Sequence, residues 1–418
     1  METLAVTEDQ MRVRVIVLCI LHIVSLLGIL PSSGRAHEPA VALETLSILD
    51  EFDIAKRGDL LLVPMTIAGK SYPFVLATNS ERTIVDVRLR NLLGKSLGER
   101  TDDTSDVPRW EEFSPVPMKI GKIAVRAAQR LQCANIAMLF GETSGHDVFG
   151  VIGHDLLRDR VVQIDFDTGK LCLRAAGPKI EPPLGARRHP MFAGSNGYPT
   201  IILNVEGAGI DSFVVDTSFT GPVTLRPYSM RKLIKKGAIT CVRRANFIAR
   251  DGRELVQHVG RLRGLGLSEY PTVPNIRVMN SDYETVGLTF LSRFSLIFDF
   301  KNEELFMLQG ARFEEPDSDD WSDMMMVHND GRVTIKKTAT NGAAELAGIR
   351  AGDVVVEVNG KLAATLTLFQ IRQLLSKSDT VAMTFRREER DFRVQLQAAP
   401  AKVSSDANDD VAKESRDK

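Results

Sequence analysis

From Glu51 to Gln309 the chain sets apolar and polar positions in short alternating or apolar runs, cut by Gly, Pro and Asn, with few helical stretches. Successive side chains of a strand point to opposite faces, so this pattern predicts a mainly β fold built from short strands. The pattern also repeats. Val151-Ile152-Gly153-His154-Asp155-Leu156-Leu157, then Val162-Gln163-Ile164-Asp165-Phe166, returns as Thr285-Val286-Gly287-Leu288-Thr289-Phe290-Leu291, then Leu296-Ile297-Phe298-Asp299-Phe300. Gly153 lies 134 residues before Gly287, and Asp165 lies 134 before Asp299. Upstream, Phe74-Val75-Leu76-Ala77-Thr78-Asn79 parallels Phe213-Val214-Val215-Asp216-Thr217-Ser218 at a separation of 139. A difference of five residues is easily absorbed in loops. The expectation is two similar β lobes, at 45–178 and 195–310.

The ends of the chain have other patterns. Arg12 and Arg14 precede an apolar run from Val15 to Leu30, followed by Pro31-Ser32-Ser33 and Gly34-Arg35-Ala36. That order of charge, apolar run and small residues predicts a secretory signal at 1–36, cleaved after Ala36, and so a periplasmic or extracellular protein. If uncleaved, the segment becomes a membrane anchor. Met11 is an alternative start. Export leaves Cys133, Cys172 and Cys241, room for one disulfide at most, so stability must come from buried apolar surface. Residues 311–322 read as an acidic linker, and the Ala-, Ser-, Asp- and Lys-rich end, 399–418, as a disordered tail.

Net charge is −1, with 26% charged and 44% hydrophobic residues, so no basic field draws the chain to nucleic acid. Zinc-finger, P-loop and dinucleotide motifs are absent from the sequence, and it calls for no cofactor and no metal. The candidate chemistry lies in the repeat. Each half resembles a retropepsin or pepsin lobe of the aspartic peptidases: apolar residues, Asp-Thr-Gly, then apolar-apolar-Gly about 70 residues on. The resemblance implies two pepsin/retropepsin-like β-barrel lobes whose loops meet. In that family a pair of aspartates shares a proton and a water, one carboxyl activating the water while the other donates to the scissile carbonyl.

This chain has half of that pair. Asp216-Thr217-Ser218 matches the catalytic loop, with Thr217 at the hydroxyl that braces the opposite loop and Ser218 where Gly is usual. The partner loop is Ala77-Thr78-Asn79, and alanine has no proton to give or take. The one literal Asp-Thr-Gly, Asp167-Thr168-Gly169, reads as a hairpin turn closing the first lobe. His154-Asp155 follows the glycine landmark with no partner in view.

Beyond the linker, Arg332-Val333-Thr334-Ile335, the small-residue run Asn341 to Ile349, Gly352-Asp353, the Asn359-Gly360 turn and amphipathic Leu366–Ser376 arrive in order. This resembles a PDZ domain of the bacterial protease-associated kind, at 323–398. The resemblance implies that polypeptide or protein C-termini are its partners, taken as an added strand. Met325, Met326 and Val327 are the candidate peptide-binding residues, in a stretch without the usual Gly-Leu-Gly type of carboxylate loop. Three functions follow: a peptide-binding pseudo-peptidase, an aspartic endopeptidase that completes its dyad as a homodimer, or a structural envelope protein.

Overall fold

The structure, a computed structural model, describes residues 40–101, 109–125, 130–193, 198–248, 254–267, 272–317, 320–329 and 331–398. The leader and the tail expected at 1–36 and 399–418 lie outside the described residues.

The first half contains β1 (Ile48–Asp53), β2 (Leu62–Ile67), β3 (Lys70–Leu76), β4 (Ile84–Asp86), β5 (Ser96–Thr101), β6 (Arg109–Phe113), β7 (Met118–Ile120), β8 (Ile123–Val125) and β9 (Leu131–Ala134). Helix α1 (Ala137–Ser144), β10 (Gly150–Ile152), α2 (His154–Leu157), β11 (Arg160–Asp165) and β12 (Lys170–Ala175) complete it. Two strands, β13 (Arg187–Pro190) and β14 (Phe192–Ala193), lead into the second half. There β15 (Pro199–Val205), β16 (Gly209–Val215), β17 (Val223–Leu225), α3 (Pro227–Lys235), β18 (Ile239–Ile248), β19 (Glu254–Gly266) and β20 (Val273–Asn280) are followed by β21 (Thr285–Val286), α4 (Leu288–Leu291), β22 (Phe294–Asp299) and β23 (Glu304–Gln309).

The alternation read in the sequence sets the local structure. In β2, Val63, Met65 and Ile67 point inward and are fully buried, while their neighbours are half-buried. The chain returns into β3 through Ala68-Gly69, both at positive φ, as a two-residue hairpin requires.

The two halves share one topology. In the first, β9-β4-β10-β3-β2 are neighbours in that order; in the second, β20-β17-β21-β16-β15 are. The directions agree pair by pair: β4–β9 and β17–β20 parallel, β10–β3 and β16–β21 parallel, the remaining pairs antiparallel. A hairpin attaches at the same side of each, β5–β6 on β9 and β18–β19 on β20. A further sheet, β1-β12-β11-β22-β23-β13, joins the halves. Its middle is β11 against β22, with Val162 opposite Phe298 and Ile164 opposite Leu296. One apolar core runs through both halves.

The repeated glycines are packing requirements. A Cβ on Gly153 would stand 2.5 Å from the Arg82 carbonyl, and one on Gly287 would stand 2.6–2.7 Å from the carbonyl oxygens of Gly221 and Phe219. In both places a loop backbone crosses where a side chain would begin. One difference between the halves bears on the site. Helix α1 fills the path from β9 to β10, whereas β20 reaches β21 across four residues without a helix.

The C-terminal module is a sheet of β24 (Met324–Asn329), β25 (Arg332–Thr338), β26 (Val354–Val358), β28 (Thr380–Arg387) and β29 (Arg390–Gln397), in that order, with β27 (Lys361–Leu362) beside β26. Helices α5 (Ala343–Leu346) and α6 (Leu368–Ser376) cover its own core. Helix α6 begins with a full capping box between Thr367 and Gln370. Buried Asp353 accepts two guanidinium hydrogen bonds from Arg387, at 2.7 and 2.8 Å, and one from the Arg350 N–H.

The acidic stretch 311–322 is not a free linker where it is described. Asp317 is buried against Arg293 at 2.5 Å and also accepts from the Arg277 N–H. A buried guanidinium needs a partner, and Asp317 supplies it. Nor does the module stand apart from the lobes, because β24 packs against α1 and reaches β18.

Candidate functional site

Strands β3 and β16 are buried at their ends and run into the two loops that the repeat aligns. Each loop is held by the parallel strand beside it: the Ala77 N–H donates to the Ile152 carbonyl at 3.0 Å, and the Asp216 N–H donates to the Val286 carbonyl at 3.1 Å. The threonines then tie the loops to each other. The Thr78 N–H donates to Thr217 Oγ1 at 3.0 Å, and the Thr217 N–H donates to Thr78 Oγ1 at 3.1 Å. Each hydroxyl donates onward, Thr78 to the Val215 carbonyl at 2.6 Å and Thr217 to the Leu76 carbonyl at 2.7 Å. Both residues are fully buried, so these four bonds are shielded from water.

The structure therefore brings Ala77, Thr78 and Asn79 together with Asp216, Thr217 and Ser218. Asp216 is 4% exposed. Its Oδ1 accepts from the Ser218 N–H and the Ser218 hydroxyl, each at 2.7 Å, and its Oδ2 accepts from Asn79 Nδ2 at 2.7 Å. Ser218 Oγ also lies 3.1 Å from Asn79 Oδ1. Chemically, the two loops hold one carboxylate, one carboxamide and hydroxyls. A carboxamide donates a hydrogen bond but does not exchange a proton in the way a second carboxyl does. Ala77 belongs to an apolar cluster with Val75, Ile136, Leu139, Phe140 and Val151.

The other candidates fall outside this arrangement. Asp167-Thr168-Gly169 is the turn between β11 and β12, with Gly169 at positive φ and Asp165 Oδ1 accepting from the Asp167 and Thr168 N–H groups. His154 packs its ring against Phe300 at 4.9 Å, and burial holds its pKa below the usual imidazole value. Asp155 accepts from the Thr83 N–H and hydroxyl, at 2.9 and 2.7 Å, which fixes the loop after Asn79. Burial raises the thiols of Cys133 and Cys172 to about 11, which makes both poor nucleophiles. All three described cysteines are free thiols. Among the described residues no group of His, Cys, Asp and Glu could hold a metal ion. No helix among them is long and apolar enough to cross a membrane.

In the C-terminal module the three candidate peptide-binding residues divide. Met326 belongs to the module's core cluster, with Leu368, Ile371 and Leu375 of α6. Met325 and Val327, on the alternate face of β24, are also buried, at 8% and 4% exposed. Sequence reasoning missed a polar contact beside them. Buried Asp59 accepts from Thr367 Oγ1 at 3.0 Å, and His146 Nε2 lies 3.0 Å from the same oxygen. These residues are 87 and 308 positions from Asp59, and no local pattern joins them.

Among curated proteins none matches this chain. Among solved structures it is similar to the crystal structure of an aspartic proteinase from Irpex lacteus, at 13% identity and a TM-score of 0.42, over 64% of this chain and 98% of that one. The chain matches the PDZ domain family over residues 334–387, and that part of the C-terminal module is a PDZ domain.

Proposed function

We propose that this is an exported aspartic-peptidase-like protein that binds polypeptides and, as a monomer, does not cleave them. One observation carries the reading: the loop carrying Asp216 is braced as a peptidase loop would be, yet Ala77 stands opposite and Asn79 and Ser218 engage both oxygens of the Asp216 carboxylate. Hydrolysis by this chemistry needs one group to take a proton from water while another gives one to the carbonyl. Asn79 can hold and orient a polar group at this place but cannot perform either transfer. The PDZ domain supports the partner class, since PDZ domains take extended peptide ends. Export rests on the charged, apolar and small-residue order of residues 1–36.

The test is a peptide-library cleavage assay on purified protein at acidic and neutral pH. The wild type leaves the library intact, and so does Asp216→Asn. The triple variant Ala77→Asp, Asn79→Gly, Ser218→Gly restores the second carboxyl and frees Asp216 of its side-chain donors, and it gains cleavage. Cleavage by the wild type that disappears in Asp216→Asn overturns the reading. It would make the chain a peptidase whose second carboxyl comes from a partner.

A further inference from the structure

The first lobe packs against the edge of the C-terminal module at which a PDZ domain adds a peptide. In the module's sheet β24 is an outermost strand, with α6 beside it, and the space between an edge strand and a helix is where such a domain adds a peptide. Helix α1 of the first lobe lies on β24 and also meets α6. Met325 and Val327 lie outside the module's core cluster yet are closed to solvent, on the strand that α1 and β18 both meet. Just past α1, a Cβ on Gly145 would stand 3.3 Å from the Leu368 N atom and 3.4 Å from His328 Cδ2. The lobe chain at Gly145 thus lies against both the end of β24 and the start of α6.

Both sides of the helix are anchored. On the lobe side, Asp86 Oδ2 accepts from the Ile136 and Ala137 N–H groups at 2.8 and 3.2 Å, capping the helix. Leu139 and Phe140 sit in the cluster that encloses Ala77. On the PDZ side, the Thr367 hydroxyl that caps α6 also donates to Asp59, the residue that His146 contacts two positions after α1 ends. The second lobe has no counterpart of α1.

We propose that α1 is an internal plug of the PDZ groove, so that a polypeptide C-terminus enters only as α1 leaves β24. This rests on the reading that the PDZ domain takes polypeptide ends. Because the same helix covers Ala77, occupancy of the groove is coupled to the loop that faces Asp216. An apparent affinity is reduced by the fraction of molecules in the open state, so loosening the plug tightens binding.

The experiment uses the full chain and a fluorescent pool of short peptides with free C-terminal carboxylates, with the amidated pool as control. Gly145→Cys with His328→Cys, in a Cys241→Ser background, places two sulfurs within disulfide reach, because a Cβ at 145 lies 3.5 Å from His328 Cγ. Oxidised, this variant is locked and loses binding; reduced with dithiothreitol, it regains it. Asp59→Ala removes the acceptor shared by Thr367 and His146 and binds about tenfold tighter than wild type, if the latch is worth one ordinary buried hydrogen bond. Equal binding in the oxidised and reduced states, with the disulfide verified by mass, overturns the plug. Absence of binding in every form, Asp59→Ala and the reduced variant included, overturns the peptide-binding reading beneath it.

Discussion

Replacing Thr217 by valine removes one hydroxyl and keeps the side-chain volume, at a site that is fully buried. Two bonds go with it: the one it donates to the Leu76 carbonyl at 2.7 Å and the one it accepts from the Thr78 N–H at 3.0 Å. Each group left behind is shut away from water, and an unpaired buried group costs about 1–3 kcal/mol. Thr217→Val should therefore destabilise the lobes by about 2–6 kcal/mol, a large share of a total that is usually about 5–15 kcal/mol. Thr217→Ser keeps the hydroxyl and loses one methyl group, so its cost should stay near ~1 kcal/mol. The assay is urea unfolding followed by tryptophan fluorescence and by circular dichroism, comparing both variants with wild type. Thr78→Val breaks the other two bonds of the set, and once one pair has gone the loops no longer hold the second. The double variant should lose less than the sum of the two single losses, by about 0.5–3 kcal/mol. The reasoning fails if Thr217→Val unfolds no earlier than Thr217→Ser, or if the two valine substitutions add.

Two further outcomes follow from the packing. Gly153→Ala and Gly287→Ala each force a Cβ to within 2.7 Å of a carbonyl oxygen in an opposing loop, and each should lower stability by about 1–3 kcal/mol; a neutral result at either, in the same urea assay, would contradict the described crossing. His154 is held below the ordinary histidine value of 6.5 by burial, and His328 by burial and by the nearby charge of His146, so the unfolded chain takes up their protons first and stability falls as pH drops below 6.5. Burial of Asp155 and Asp299 acts in the opposite sense, from their ordinary value of 3.8 upward. The urea midpoint should decline from about pH 7.5 to about pH 5.5, and His154→Leu with His328→Gln should flatten that decline; an unchanged slope removes these two histidines from the explanation.

What could be read from the residues was whatever repeats or blocks the chain locally. The 134-residue interval between Gly153 and Gly287 is visible because both glycines meet the same obstruction, a crossing backbone, and no other residue fits there. Thr78 and Thr217 are legible for a related reason: a symmetric set of bonds needs the same side chain on both sides. The placement of Asn79 was not legible, because the reach of its carboxamide to Asp216 depends on how closely the loops approach, which sequence does not state. Helix α1 escaped notice because it is short and lacks an apolar stripe, although Leu139 and Phe140 pack in the lobe. The stretch up to Asp317 read as an acidic linker, and the buried Arg293 that captures Asp317 lies 24 positions earlier.

The sheet shared by the two lobes also sets an order of events in folding. Strand β11 is complete at Asp165, but its neighbour β22 does not begin until Phe294. A chain emerging from the ribosome exposes one edge of β11 throughout the synthesis of the intervening segment, and an uncovered edge readily pairs with another copy. Such distant pairing is slow even after the chain is complete. During synthesis the first lobe therefore carries one adhesive margin, and the second lobe acts toward it as a built-in chaperone once β22 is made.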